Sequence, residues 1–278
     1  MFRTLLVHVP TERSVRAALA GSVATAKQFG ARLDAIAIGY EAGSIPFVVD
    51  GGAAVASIYE VEHQRAFERA NVALGIFESA ALKAGITYRC QAICGALPDT
   101  SAIIGAIAQL HDLTIVSQPD LTHITCDNEI PQELLFRSGG PILHMPRGFE
   151  GHFAASRIGI CWDGSQVAAR AVRDAWPFLT QASTTKIIAI NEPAESPAIP
   201  SSAQLAVRLT CDGISTKIIS SAVDRTEIQA AILSIAADED LDLLVMGAYG
   251  HSRLRERLIG GVTRDMLACM TIPVLMSH

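Results

Sequence analysis

Five short apolar runs separated by longer stretches of helical period occur twice along this chain, and that repetition limits the available folds more than any other feature. In the first copy the runs span 4–9, 32–39, 86–94, 113–118 and 141–146, with helical stretches near 13–29, 58–84, 98–111 and 129–138. In the second they span 157–162, 185–191, 214–221, 241–247 and 273–277. Near-continuous Val, Ile and Leu runs between amphipathic helices are the mark of parallel strands buried on both faces. The expected fold class is α/β: two tandem doubly wound domains, each a mainly parallel five-stranded sheet with helices on both faces.

The two copies also correspond in order of motif. Arg3-Thr4-Leu5-Leu6-Val7-His8-Val9 matches Arg157-Ile158-Gly159-Ile160-Cys161-Trp162-Asp163, and Asp112-Leu113-Thr114-Ile115-Val116 matches Asp242-Leu243-Leu244-Val245-Met246. Each copy closes on a proline-led run, Pro141 to Met145 and Pro273 to Met276. The stretch from Pro146 to His152 has linker composition, which sets the expected domains at 1–147 and 154–278.

Composition excludes several classes of function. With 28 acidic and 22 basic residues the net charge is −6, and the 15 acidic and 11 basic residues before position 151 and 13 and 11 after it make neither half a basic module. Nucleic acid is therefore not the expected partner, because phosphate neutralisation needs a basic face. The first residues lack the apolar core of a signal peptide, and no run reaches the roughly 18 residues of a membrane helix, so a soluble cytoplasmic protein without membrane contact is expected. Cys90, Cys94, Cys126, Cys161, Cys211 and Cys269 form no Cys-x-x-Cys pair and read as buried free thiols; no metal site is expected.

Open α/β sheets bind ligands at the carboxyl ends of their strands, which directs attention to the loops after the first and fourth runs of the second copy. These loops are Asp163-Gly164-Ser165 and Gly247-Ala248-Tyr249-Gly250, the latter running on to Gly260-Gly261-Val262-Thr263. Glycines let a backbone approach a phosphate, and the amides from Gly260 to Thr263 open a helix whose dipole favours an anion.

The spacing Gly247-x2-Gly250-x9-Gly260 after a buried strand, with Asp163 ending the first strand, resembles the universal stress protein family, and the whole chain resembles its tandem two-domain form. The resemblance implies an adenine nucleotide, ATP or else ADP or AMP, with or without magnesium. It implies that Asp163 faces the adenosine, that backbone around Ile190 meets adenine, and that the glycine loop with Gly247, Gly250, Gly260, Gly261, Val262 and Thr263 holds the phosphates, with Met246 also among the cofactor-binding residues. Gly261 stands where the family pattern has Ser or Thr. The resemblance further implies that the closing strands of the two halves pair inside the chain as a pseudo-twofold dimer, with a homodimer of whole chains and an unknown protein partner left open.

In the first copy Val9, Ser117, Asp120 and Asn128-Glu129 replace Asp163, Gly247, Gly250 and Gly260-Gly261. Asp120, Asp127 and Glu129 are expected to set negative charge where phosphates would lie, closing this half to ATP. Its Gly- and Ala-rich segment Glu41–Ser57 reads as a loop over its own core or as a lid or protein-docking segment. Arg253, Arg255, Arg257 and Arg264 flank the glycine loop as solvated or phosphate-facing side chains. The chain has no Gly-x-x-x-x-Gly-Lys-Ser/Thr, no Gly-x-Ser-x-Gly and no catalytic constellation. The first expectation is a non-catalytic stress-response nucleotide binder. A weak ATP hydrolase or phosphotransferase and a non-binding association scaffold are the alternatives.

Overall fold

The structure is a computed structural model that describes residues 1–41, 52–120, 122–149, 153–193, 198–250 and 261–278. In the first half, strands β1 (Thr4–Val9), β2 (Arg32–Tyr40), β3 (Tyr88–Gly95), β4 (Leu113–Ser117) and β5 (Ile142–Met145) alternate with helices α1 (Arg16–Phe29), α2 (Gly52–Ala84), α3 (Leu97–Ala108) and α4 (Ile130–Arg137). The second half has β6 (Arg157–Cys161), β7 (Thr184–Ile190), β8 (Thr216–Ser221), β9 (Leu243–Gly247) and β10 (Val274–Ser277). Its helices are α5 (Gln166–Asp174), α6 (Trp176–Leu179), α7 (Ser202–Cys211), α8 (Ile228–Asp238) and α9 (Val262–Cys269).

All ten strands lie in one sheet of order β3-β2-β1-β4-β5-β10-β9-β6-β7-β8. Every pairing is parallel except the central one, where Val274, Leu275 and Met276 run antiparallel to His144, Leu143 and Ile142. The two closing strands therefore cover each other's edges, as expected from the liability of an unpaired edge.

Alternation along the strands divides the core in two. Leu5, Val7, Leu143, Ile158 and Leu275 face one layer, with side chains of α1, α2, α5, α6 and α7. Leu6, Val116, Ile142, Leu244 and Val274 face the other, with α3, α4, α8 and α9. On the first face Phe2 and Phe29 meet Phe178 edge-on at 5.2 Å, and Phe153 meets it at 5.9 Å, so one aromatic cluster joins both halves.

The repeat is visible as chemistry. Asp112 accepts hydrogen bonds from the amides of Arg3 and Thr4 at 2.7 and 2.8 Å, and Asp242 accepts from the amide of Arg157 at 2.8 Å. The same carboxylate pins the start of the first strand in each half.

Strands β3, β8 and β9 begin two residues later than their apolar runs for one shared reason. The amides of Ile86, Ile214 and Leu241 bond back to the carbonyls of Ala81, Leu209 and Ala236 in the preceding helices. Gly85, Gly213 and Asp240 just before them have left-handed φ values of +68°, +83° and +53°. Each apolar residue thus belongs to a helix-terminating turn, and the strand follows it. Helix α2 starts at Gly52, ahead of the expected 58, while residues 42–51 of the expected lid lie outside the described residues. No cysteine is fully buried: four are half-buried, and Cys211 and Cys269 are exposed.

Candidate functional site

At the carboxyl end of β6 the chain turns sharply through Asp163 and Gly164. Gly164 has φ +73°, and a Cβ there would lie 2.4 Å from Ile199 Cγ2 and 2.9 Å from the Pro200 carbonyl, so the turn admits no side chain. The exposed Asp163 accepts the Ser165 amide through Oδ1 at 2.9 Å. Ser165 in turn caps α5 by accepting the Ala168 amide at 3.2 Å. The Trp162 indole donates to the Pro200 carbonyl at 2.9 Å and holds the opposite wall in place.

Between these elements lies a cleft of about 570 Å³, whose lining includes Asp163, Ala189, Asn191, Glu192, Ser201 and Ser220. It opens at the carboxyl ends of β6, β7 and β8, where a parallel sheet places its ligands. Two clamps shape its mouth. Asn191, at φ +53°, donates Nδ2 to the Val223 carbonyl at 2.7 Å and accepts the Val223 amide at 2.9 Å, tying the β7 and β8 loops together. Glu192 accepts from the amide and hydroxyl of Ser202, the latter at 2.7 Å, anchoring the first residue of α7.

The expected site residues divide by position. Ile190 is half-buried and paired with Ser221, while its neighbours Ala189 and Asn191 line the cleft. Met246 is 5% exposed, and its side chain belongs to the core of the second face. An inward-facing strand residue of this kind can offer a ligand only its backbone. A Cβ on Gly247 would sit 2.6 Å from the Ala168 amide nitrogen, so this glycine admits the start of α5 against β9. Gly250 is exposed, with its Cβ position 3.1 Å from Val167 Cγ2 and 3.9 Å from Ser165 Oγ. The left-handed residue of this loop is Tyr249, at φ +54°. Gly261 is the extended N-cap of α9, followed by the half-buried Val262 and the buried Thr263, whose Oγ1 accepts the Tyr249 amide at 3.2 Å. Gly260, Arg253, Arg255 and Arg257 lie outside the described residues.

The structure thus brings the Asp163 turn and the Gly247 to Gly250 loop together at one place, the first turn of α5. Asn191, Glu192, Ser201 and Ser220 are additions that sequence reading missed. A signal for one of them was present: Ser201 and Gln204 form a capping box that fixes the start of α7 and hence the cleft wall.

Comparison with known proteins bears on this half directly. The universal stress protein family model matches residues 155–278. That half of the chain is similar to the universal stress protein family. The universal stress protein Slr1230 of Synechocystis sp. is 37% identical over 70 residues, 23% of this chain and 24% of that protein. The universal stress protein MJ0577 of Methanocaldococcus jannaschii is 41% identical over 44 residues, 16% of this chain and 27% of that protein. The matches thus span about a quarter of these curated relatives. The whole fold resembles the crystal structure of a universal stress protein from Archaeoglobus fulgidus at TM-score 0.75 and 14% identity, covering 98% of this chain and 95% of that one.

The first half of this chain treats the equivalent strand ends differently. Asp127, fully buried, accepts the amides of Thr11 and Glu12 at 2.9 and 2.8 Å and the Tyr40 hydroxyl at 3.0 Å. Arg13 donates to the carbonyls of Gln118, Ser117 and Asp127, the last two at 3.3 Å. Burial pushes the Asp127 carboxyl above its usual range against these donors, and burial with the nearby Asp127 raises the Tyr40 phenol. Asp120 is ion-paired with Arg147 and held below the usual carboxylate range, chiefly by hydrogen bonds from Thr122. The Asp127 carboxylate, expected where a phosphate would lie, is thus enclosed and takes up the donors of the β1 and β2 ends itself. Among the described residues no three His, Cys, Asp or Glu side chains are grouped to hold a metal ion, and no helix is long and apolar enough to cross a membrane.

Proposed function

We propose that this protein binds one adenine nucleotide, ATP in the first instance, in its second domain (154–278), and that the first domain (1–147) is a ligand-free partner within a non-catalytic stress-response protein. The observation that carries this reading is the meeting of the Asp163 turn and the Gly247 to Gly250 loop at the first turn of α5, beside the cleft of about 570 Å³. A carboxylate suits ribose hydroxyls, which donate to it, and the exposed Gly250 leaves backbone accessible to phosphate. Any magnesium enters with the triphosphate.

The test is chromatography of whatever denaturation releases from protein purified without added ligand, with calorimetric titration of ATP, ADP and AMP. Bound adenine nucleotide at one per chain supports the reading. Absence of nucleotide together with no heat at millimolar ATP replaces it with the association scaffold.

A further inference from the structure

A second concavity shares no lining residue with the cleft. Helices α1 and α2 and the entry to the second half enclose a groove of about 700 Å³ lined by Leu19, Val23, Ala24, Ala80, Phe153 and Lys27, with Ala20, Gln28 and Ala154 completing it. Small side chains on both helices keep the trough open, and part of its lining is packed into the core. Phe153 is 2% exposed and held edge-on against Phe178 in the aromatic cluster that joins the halves.

The polar groups at this groove are few and specific. Lys27, in the last turn of α1, is exposed and has no carboxylate partner among the described residues. Gln28 donates Nε2 to the Ala154 carbonyl at 3.3 Å and to Gln181 Oε1 at 3.1 Å, which locks the rim across the two halves. A preformed apolar trough with one uncommitted cation at its edge is complementary to a ligand that carries one negative charge on a hydrocarbon chain.

We infer that this groove is a binding site for a single-chain amphiphile with an anionic head, a long-chain carboxylate taken up as a free monomer, with the chain along Leu19, Val23 and Phe153 and the head on Lys27. The site is independent of nucleotide binding in the second half.

The experiment is isothermal titration of the full chain with dodecanoate below its micelle concentration, with 1-dodecanol and with anionic vesicles as separate arms. Saturable binding of one dodecanoate per chain is expected, weakened about tenfold or more in Lys27→Glu, with 1-dodecanol affected little by the same change. Ala24→Phe, which fills the trough, is expected to abolish binding while leaving thermal unfolding cooperative. If that variant misfolds, Ala20→Leu provides the same obstruction from a neighbouring position of the groove lining. No saturable binding by the wild type, undiminished dodecanoate affinity in Lys27→Glu, or binding to vesicles without binding of the monomer would each overturn the inference.

Discussion

Gln118 of the first half donates its side-chain Nε2 to the carbonyl of Leu267 in the second, at 3.0 Å, across the antiparallel seam. The same nitrogen lies 3.0 Å from the Ala268 carbonyl, so a side chain from one half satisfies the last turn of α9 in the other. Gln118 Oε1 accepts the Arg147 amide at 3.1 Å, and the residue is 3% exposed. Beside it, Tyr249 and His278 pack on Phe136 with ring centroids 4.9 Å away in each case.

Removing that bridge should weaken the seam. Gln118→Ala leaves buried carbonyls without a donor, at a cost of about 1–3 kcal/mol. Differential scanning calorimetry should show a melting temperature lower by several degrees. An unchanged value would mean that water replaces the side chain at no cost.

The two glycines of the second-half loop should separate folding from binding. Gly247→Ala forces a Cβ to 2.6 Å from the Ala168 backbone and should cost about 1–3 kcal/mol without any ligand. At Gly250 the nearest atom to a Cβ is a side-chain methyl of Val167 at 3.1 Å, which can move. Gly250→Val should therefore fold, yet lose most of the roughly 2.7 kcal/mol that ATP at 100 times its Kd adds to the wild type. Retention of the full ATP-induced melting shift in Gly250→Val would remove the loop from the binding site.

Asymmetry between the halves should appear in the stoichiometry. With Asp127 enclosed on the amides of Thr11 and Glu12, the first half offers no free donors there, and ATP should saturate at one per chain. Asp163→Ala should weaken ATP binding about tenfold, whereas Asp120→Ala should leave it unchanged. Two equivalent sites by calorimetry would contradict this.

The pH dependence of stability should carry the signature of two buried histidines. Burial lowers His8 and His144 to about 3, with Arg13 adding to the effect on His8. Between the unfolded value near 6.5 and about 3, the unfolded chain binds protons that the folded chain refuses. Stability is therefore present above about pH 6.5 and lost as the pH falls through that window, by up to about 1.4 kcal/mol per pH unit for each histidine. Asp127, raised by burial, acts in the opposite sense by gaining its proton more readily when folded. Urea unfolding from pH 4.5 to 7.5 should show the slope, and His144→Leu should reduce it by about half.

Periodicity and punctuation made the strands legible. The ten apolar runs correspond to the ten strands, with starts displaced by two residues only where Ile86, Ile214 and Leu241 close a helix. Asp163 and Gly247 were legible because a turn and a close approach demand particular residue types at those points. The burial of the Met246 side chain was not legible, since its place beside the glycines says nothing of which face of β9 it occupies.

The sequence by itself determined what depends on neighbouring residues: which segments bury both faces, where helices start and stop, and that the pattern occurs twice. Tertiary structure alone decided which loops meet. Asn191, Glu192 and Ser220 share a cleft because parallel register aligns the ends of β7 and β8, and Asp127 is enclosed because the ends of β1 and β2 converge on it. Gln118 reaches Leu267, 149 positions away, only once β5 and β10 have paired. The physical reason is that burial leaves a periodic trace in the local chain, whereas a contact across the fold depends on the shape of everything between its partners.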